Sequence, residues 1–268
     1  MAEDIHPKAQ VISASRRTDL PAFHWVWFMG ALQRGWVSFL HPYRQRVIKV
    51  SLAPRDVAAF VFWSKNYANL ITDLRELRRS YYFYCHFTIT GLPRAIEPGV
   101  IPMEEAAQQF KALSHSLSPH HVLWRYDPIV ITKDIGVDFH LLNFSRIASA
   151  LEGHTHRCYL SFVSLYPKVL KGFHRAGMAP IELTLEEKMA LVERFSEIAK
   201  RHGIALYACS SPELVSSEVS RGRCVDPELL GPISPKAMPS RKGCGCVESI
   251  DIGSYGTCRH GCIYCYAA

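Results

Sequence analysis

Ala59-Phe60-Val61-Phe62-Trp63 is followed by an amphipathic stretch over residues 66–79 and then by a second apolar run over 82–90. A run without polar alternation is a strand buried on both faces, and a helix between two such strands makes them parallel. The same unit repeats outward. Upstream, Val11-Ile12-Ser13-Ala14 reads as a first strand with a helix over 21–34 behind it, and 37–40 with 47–52 as a small hairpin around His41-Pro42-Tyr43-Arg44. Downstream come a helix over 103–117, a strand at Val122-Leu123-Trp124-Arg125, a helix over 138–151, and a strand at Cys158-Tyr159-Leu160-Ser161-Phe162. Thr184 and Glu187 form a capping-box pair opening a helix over 185–202, and Ile204-Ala205-Leu206-Tyr207-Ala208 closes the series. Six core strands separated by helices give an α/β class with a parallel sheet, read here as a TIM-like, incomplete (β/α)6 barrel over residues 1-210; periodicity alone leaves the open sheet available.

At 268 residues, 48% of them hydrophobic, the chain can bury a large core without disulfide staples. Met1-Ala2-Glu3-Asp4-Ile5-His6 has neither the basic flank nor the apolar run of a signal peptide, and no apolar stretch has the length of a membrane span, so no membrane association is expected and the cytoplasm is the expected compartment. The formal charge of +7 favours anionic partners modestly, since it is scattered along the chain.

The cysteines are unevenly placed. Cys85 and Cys158 precede residue 200 and read as inert core thiols, whereas Cys209, Cys224, Cys244, Cys246, Cys258, Cys262 and Cys265 crowd the remainder. There Pro, Gly, Ser and Cys dominate and only 247–252 is weakly regular, so residues 211-268 are expected to be an irregular cysteine-rich iron-sulfur segment, organised by metal and packed on the barrel mouth. Cys258-Arg259-His260-Gly261-Cys262-Ile263-Tyr264-Cys265 is a C-x3-C-x2-C arrangement. Three thiolates so spaced suit three irons of a [4Fe-4S] cube and leave the fourth open. Zinc would recruit a fourth ligand from His260, Cys244 or Cys246; Cys244-Gly245-Cys246 with Cys224 could also build a second site.

Polar residues collect where the strands should end, which is where parallel α/β folds place their chemistry. Ser15, Arg16, Arg17 and Asp19 follow the first strand, Lys65 and Asn66 the second, His86, Thr88 and Thr90 stud the third, and Arg125 and Asp127 end the fourth. Arg16, Arg17, Asp19, Lys65, Arg125 and Asp127 are the candidate catalytic set, and Ser15, Asn66, His86 and Tyr264 the candidate cofactor contacts. The arginines and Asn66 suit a carboxylate or phosphate, and Asp127 an amine or hydroxyl. Each has a plainer reading: Asp19 as a helix cap, Arg125 with Asp127 as a structural ion pair, Lys65 as a loop charge.

The Cys258 to Ala267 string resembles the cluster loop of radical S-adenosylmethionine enzymes, especially their spore-photoproduct-lyase-like branch. The resemblance implies that Cys258, Cys262 and Cys265 ligate the cube with Tyr264 packed beside it, and that the open iron binds S-adenosylmethionine, whose reductive cleavage gives a 5'-deoxyadenosyl radical. Over nearly its whole length the chain is also similar to the bacterial family called domain of unknown function 1848, through Ser13-Ala14-Ser15-Arg16-Arg17-Thr18-Asp19, Val61-Phe62-Trp63-Ser64-Lys65-Asn66, Trp124-Arg125-Tyr126-Asp127-Pro128 and the Cys244 to Cys265 tail. In the radical enzymes the cluster loop follows the first barrel strand; here it follows the sixth, so either the fold is rearranged with its tail over the mouth or the sequence is clipped.

A radical-type enzyme acting on a small molecule or a nucleic acid, supplied by an electron-donor protein, is the leading expectation. A non-radical [4Fe-4S] protein, its cube closed by Cys244 or Cys246 and its barrel binding a ligand, is the alternative; a third is a hydrolase-like enzyme using Asp19, His86 and Asp127 with a separate metal.

Overall fold

The computed structural model describes residues 9–42, 45–230 and 243–267. The opening hexapeptide, and Tyr43 and Arg44 of the hairpin turn, lie outside the described residues. In chain order the elements are β1 (Gln10–Ala14), α1 (Leu20–Phe23), α2 (Trp25–Arg34), β2 (Trp36–Leu40), β3 (Val47–Ser51), β4 (Val57–Ser64), α3 (Ala68–Ser80), β5 (Phe83–Thr88), α4 (Met103–Ser116) and β6 (Val122–Ile129). They continue as α5 (Val137–Leu151), β7 (Arg157–Phe162), α6 (Pro167–Arg175), α7 (Leu185–Arg201), β8 (Ala205–Ala208), β9 (Val219–Arg221) and β10 (Ile250–Asp251).

Every apolar run of the sequence becomes a strand of one parallel sheet ordered β10-β1-β4-β5-β6-β7-β8-β9, and β2 with β3 forms the separate antiparallel hairpin. Among the described residues the parallel sheet has eight strands where the sequence predicts six. The additional two, β9 and β10, extend opposite edges and have three and two residues, too few for any periodic pattern; their ladders to β8 and β1 make them strands. The helix expected over 21–34 is two helices meeting at His24, the first capped by Asp19 and the second ended by Gly35 in the left-handed region at φ 76°. Thr184 and Glu187 do form the capping box of α7. Helix α6 was not foreseen, although Pro167 at its start and the buried Val169 and Phe173, four apart, carry the signal.

The two faces of the sheet differ. One packs on the helices: Phe60, Phe62, Trp124 and Tyr126 meet Phe28, Phe144 and Phe195, with Phe144 stacked between Trp124 and Phe195 at centroid distances of 4.7 and 4.4 Å. Burying each such side chain contributes roughly 1.5–3 kcal/mol. The other face carries Val11, Val61, Trp63, Tyr84, Leu123 and Tyr159, packed against coil that includes Cys224, Val225, Leu230 and Cys246. Cys85 and Cys158 are fully buried in the helix-side core, and burial pushes both thiols up, as inert core cysteines require. Among the described residues no helix is long and apolar enough to cross a membrane.

One buried histidine ties the helix layer to the sheet and makes stability depend on pH. His140 Nε2 donates to the Val130 carbonyl at 2.8 Å, and its Nδ1 accepts from the Tyr126 hydroxyl at 2.7 Å, the neutral tautomer. Burial lowers its pKa, opposed in part by the bond to Val130. The unfolded imidazole titrates near about 6.5. Above that pH the contribution of His140 to stability is complete; below it the unfolded chain takes up a proton that the folded chain refuses. Stability is therefore expected to fall by up to about 1.4 kcal/mol per pH unit on this group's account. His86, whose pKa burial lowers further, adds a loss in the same direction. Urea midpoints measured from neutral to mildly acidic pH should show a shallower slope for His140→Gln than for the wild type; equal slopes would clear His140.

Candidate metal and cofactor site

His86 and Arg125 sit within β5 and β6, whereas Ser15 to Asp19, Lys65, Asn66 and Thr90 lie at or just beyond the carboxyl ends of the parallel strands, the end at which β10 runs out into the cysteine loop. Asp19 accepts four hydrogen bonds there. Its Oδ1 takes the Ala22 N–H at 3.0 Å and the Ser64 hydroxyl at 2.6 Å, while Oδ2 takes the Lys65 N–H at 2.8 Å and His260 Nε2 at 2.6 Å. The helix-cap reading of Asp19 is therefore correct and incomplete, because the same carboxylate holds His260 of the cysteine loop to the ends of β1 and β4. The other ring nitrogen of His260 meets the Gly99 carbonyl at 3.0 Å.

Lys65 is no solvated loop charge. Its Nζ is 2.8 Å from Glu97 Oε1; Glu97 is buried and the Lys65 side chain is largely covered, 12% exposed. Glu97 also accepts from the Thr90 hydroxyl, at 2.9 and 2.8 Å to its two oxygens, and from the Tyr264 hydroxyl. Lys65 stands 5.9 Å from the centroid of the Tyr264 ring. Burial alone would lower the Lys65 pKa; the charges of Glu97 and Cys262 outweigh it and hold the ammonium above its ordinary value. Glu97 was absent from the candidate residues, since one acidic residue in a loop after β5 has no local mark. A cavity of ≈ 280 Å³ with Arg94, Asn143 and Arg146 in its wall shares Thr90 and Glu97 with this cluster.

Asp251, also missed, closes the third side. Its carboxylate accepts from Ser13 Oγ at 2.8 Å, Ser15 Oγ at 2.6 Å, the Arg16 N–H at 2.9 Å and the Gly253 N–H at 3.0 Å. Arg16 and Arg17 pair with it at 3.7 and 4.0 Å. Arg16 also lies over Trp63, and Arg17 over Tyr255, each at 5.6 Å. A side chain at Gly253 would meet Ser15 Oγ at 2.0 Å, so the approach of the tail to the β1 loop needs glycine there.

Three thiols gather on the loop so anchored. Cys258, Cys262 and Cys265 are each half-buried, and Cys265 lies within electrostatic reach of both others. Burial first, then Glu97, raises the Cys262 thiol to about 12, against the lowering effect of Lys65. The loop is packed tightly: a Cβ at Gly99 would fall 2.8 Å from the His260 carbonyl, and one at Gly172 only 1.9 Å from the Ile263 carbonyl. Helix α6 thus braces the loop, with Val169 and Phe173 in the same apolar cluster as Cys262, Ile263 and Tyr264.

The model for a domain of unknown function, DUF1848, matches residues 11–267. The chain belongs to the DUF1848 family. No curated protein and no solved structure matches it.

In this DUF1848 chain the remaining predicted residues fall into different places. Asn66 stands in the turn before α3, its Oδ1 accepting from the Ala68 N–H at 3.0 Å. Arg125 pairs with Asp127, which also accepts from Ser161, so the ion-pair reading of these two holds. Arg125 turns its other nitrogen to Cys224 Sγ at 3.0 Å. His86 is buried beneath the 224 segment with Nε2 donating to the Cys224 carbonyl at 2.7 Å. Cys244 and Cys246 are buried in the coil-covered face, beside Cys224 and apart from the neighbours of the loop thiols. Among the described residues no group of three or more His, Cys, Asp or Glu stands already drawn in to metal-ligand geometry.

Proposed function

We propose that this DUF1848 chain is a radical S-adenosylmethionine-type enzyme carrying one [4Fe-4S] cluster on Cys258, Cys262 and Cys265 at the mouth of a TIM-like barrel. One observation carries the reading: the strand from which the loop issues, β10, pairs parallel with β1. Last of the described strands in the chain, it is first in the sheet, and the other strands of that sheet follow on the far side of β1. That edge position beside β1 supports reading the loop as the counterpart of the cluster loop that follows the first barrel strand in the radical enzymes, with its order in the chain rearranged. The curl is supported by the helices lying on one face while the other face packs on its own coil; a flat parallel sheet would need helices on both.

The donor set fits a cube, since three soft thiolates from one loop suit iron and sulfide. When bound, the cluster and S-adenosylmethionine would supply a one-electron reduction and a carbon radical able to take a substrate hydrogen. The chain's own part is placement. Asp19, through His260, and α6, through Gly172, fix the loop; Lys65 puts positive charge beside Cys262; Arg16 and Arg17, held by Asp251, offer a cationic rim to a carboxylate or phosphate. A substrate bearing such a group, small or part of a nucleic acid, and an external electron donor complete the reading. The fourth-thiol alternative is weakened because its candidates are engaged elsewhere, Cys246 with Cys224 and Cys244 with Cys246.

The test is electron paramagnetic resonance on anaerobically reconstituted, reduced protein, with iron and sulfide counted. A [4Fe-4S]+ signal that changes when S-adenosylmethionine is added is expected. A signal indifferent to the addition would leave a structural or electron-transfer cluster instead, and a Cys258→Ala/Cys262→Ala/Cys265→Ala chain that still binds the cluster would remove the loop from the account.

A further inference from the structure

Four further cysteines come together at a second place. Cys209 follows β8, Cys224 follows β9, and Cys244 and Cys246 precede β10. All four side chains are buried. Cys209 Sγ and Cys224 Sγ are 3.3 Å apart, the Cys246 N–H meets Cys244 Sγ at 3.4 Å, and Cys246 lies within interaction range of Cys224. We infer that Cys209, Cys224, Cys244 and Cys246 form a second metal centre, separate from the cysteine loop, that takes a single tetrahedral dication, zinc by its chemistry.

Spacing selects a mononuclear ion. Two thiolates at about 2.3 Å from one tetrahedral zinc stand about 3.8 Å apart. The Cys209–Cys224 separation is slightly inside that and well beyond a disulfide bond of about 2.05 Å. A cube places iron and sulfide between its cysteine ligands and so holds them farther apart than two thiolates on one ion. The four thiols do not stand as a closed tetrahedron, and binding an ion would draw them together.

The surroundings suit thiolates. The Val225 N–H points at Cys246 Sγ and the Cys246 N–H at Cys244 Sγ, both at 3.4 Å. The Arg125 guanidinium reaches Cys224 Sγ at 3.0 Å and Cys209 Sγ at 3.8 Å. A buried cation aimed at two sulfurs offsets part of the charge that four thiolates on a dication would carry.

Position gives the centre its work. β9 and β10 are the two ends of the sheet, and among the described residues no ladder joins them. The gap is crossed instead by single hydrogen bonds, among them the Val247 N–H to the Val225 carbonyl at 3.1 Å, the Val225 N–H to Cys246 Sγ at 3.4 Å and Arg221 Nη2 to the Cys244 carbonyl at 3.2 Å. A metal shared by Cys224 and Cys246 would clamp the edges where backbone pairing stops, and so hold β10 and the loop beyond it in place.

Metal analysis of the purified full chain tests this independently of the loop. One zinc per chain is expected, with an X-ray absorption fit of four sulfurs at about 2.3 Å. Cys258→Ala/Cys262→Ala/Cys265→Ala should lose its iron and keep the zinc; Cys244→Ser/Cys246→Ser should lose the zinc. A chain that holds no zinc even after refolding with Zn2+, a Cys209–Cys224 disulfide in the reduced-buffer preparation, or a second iron-sulfur cluster in place of zinc would each overturn the assignment. Wild-type stoichiometry decides even if the serine variant fails to fold.

Discussion

Replacing Asp251 by alanine is expected to cost about 3–5 kcal/mol of fold stability, toward the lower end because its arginine partners are partly exposed. Four donors lose their acceptor together: the Ser13 and Ser15 hydroxyls and the Arg16 and Gly253 N–H groups. Arg16 and Arg17 lose their counter-charge as well. Because β10 has only two residues, it has little else to hold it against β1. Asp251→Asn should recover part of the loss by size, but its amide nitrogen would face groups that also donate. Urea denaturation measures the energy, and limited proteolysis beyond residue 251 should show the tail cut in the variant before the rest of the chain. A loss below about 1 kcal/mol, with the tail still protected, would mean that water replaces the carboxylate and that the tail is held elsewhere.

The second large effect is expected at Glu97. Glu97→Gln removes the charge opposite the buried Lys65 ammonium, and breaking such a pair costs about 3–5 kcal/mol. The larger share is the stranded lysine, not the lost attraction. Lys65→Met in the same chain should therefore restore most of the stability, although the single substitution Glu97→Gln is severe. Denaturation of both single variants and the double variant gives the coupling energy directly. Additive losses would show that Lys65 reaches solvent once Glu97 is neutral. Since Glu97 also receives the Tyr264 hydroxyl, both Glu97 variants should hold the cysteine loop less firmly.

These two acids show where sequence reading stops. The six core strands were legible because a parallel strand is buried on both faces, and Phe60 to Trp63 or Val122 to Trp124 read as unbroken apolar runs. The polar residues at their ends were legible for the same reason: a run that ends in Ser64-Lys65-Asn66 marks the point at which the chain leaves the core. Glu97 and Asp251 carry no such mark. Each acts through partners distant in the chain, Asp251 on Ser13 and Ser15, and Glu97 on Tyr264.

The cysteines divide along the same line. C-x3-C-x2-C is local, and its three thiols are neighbours whatever the fold does. The grouping of Cys209 and Cys224 with Cys244 and Cys246 depends on β8 and β9 lying at one end of the sheet and β10 at the other. In sequence, Cys244 and Cys246 lie nearer to Cys258 than to Cys209, and spacing alone left them open to a fourth-ligand role beside the loop or to a second site with Cys224.

By itself, then, the sequence determined a parallel α/β sheet, the helices that flank it, the ends at which polar groups gather and the three-thiol loop, because each is a matter of periodicity or short spacing. Only the tertiary structure decided that the loop-bearing strand lies beside β1, that seven late cysteines form two groups, and that Asp19, Glu97 and Asp251 anchor the tail. Those are long-range pairings, and a buried carboxylate or a two-residue strand acquires its meaning from the partner that folding brings to it.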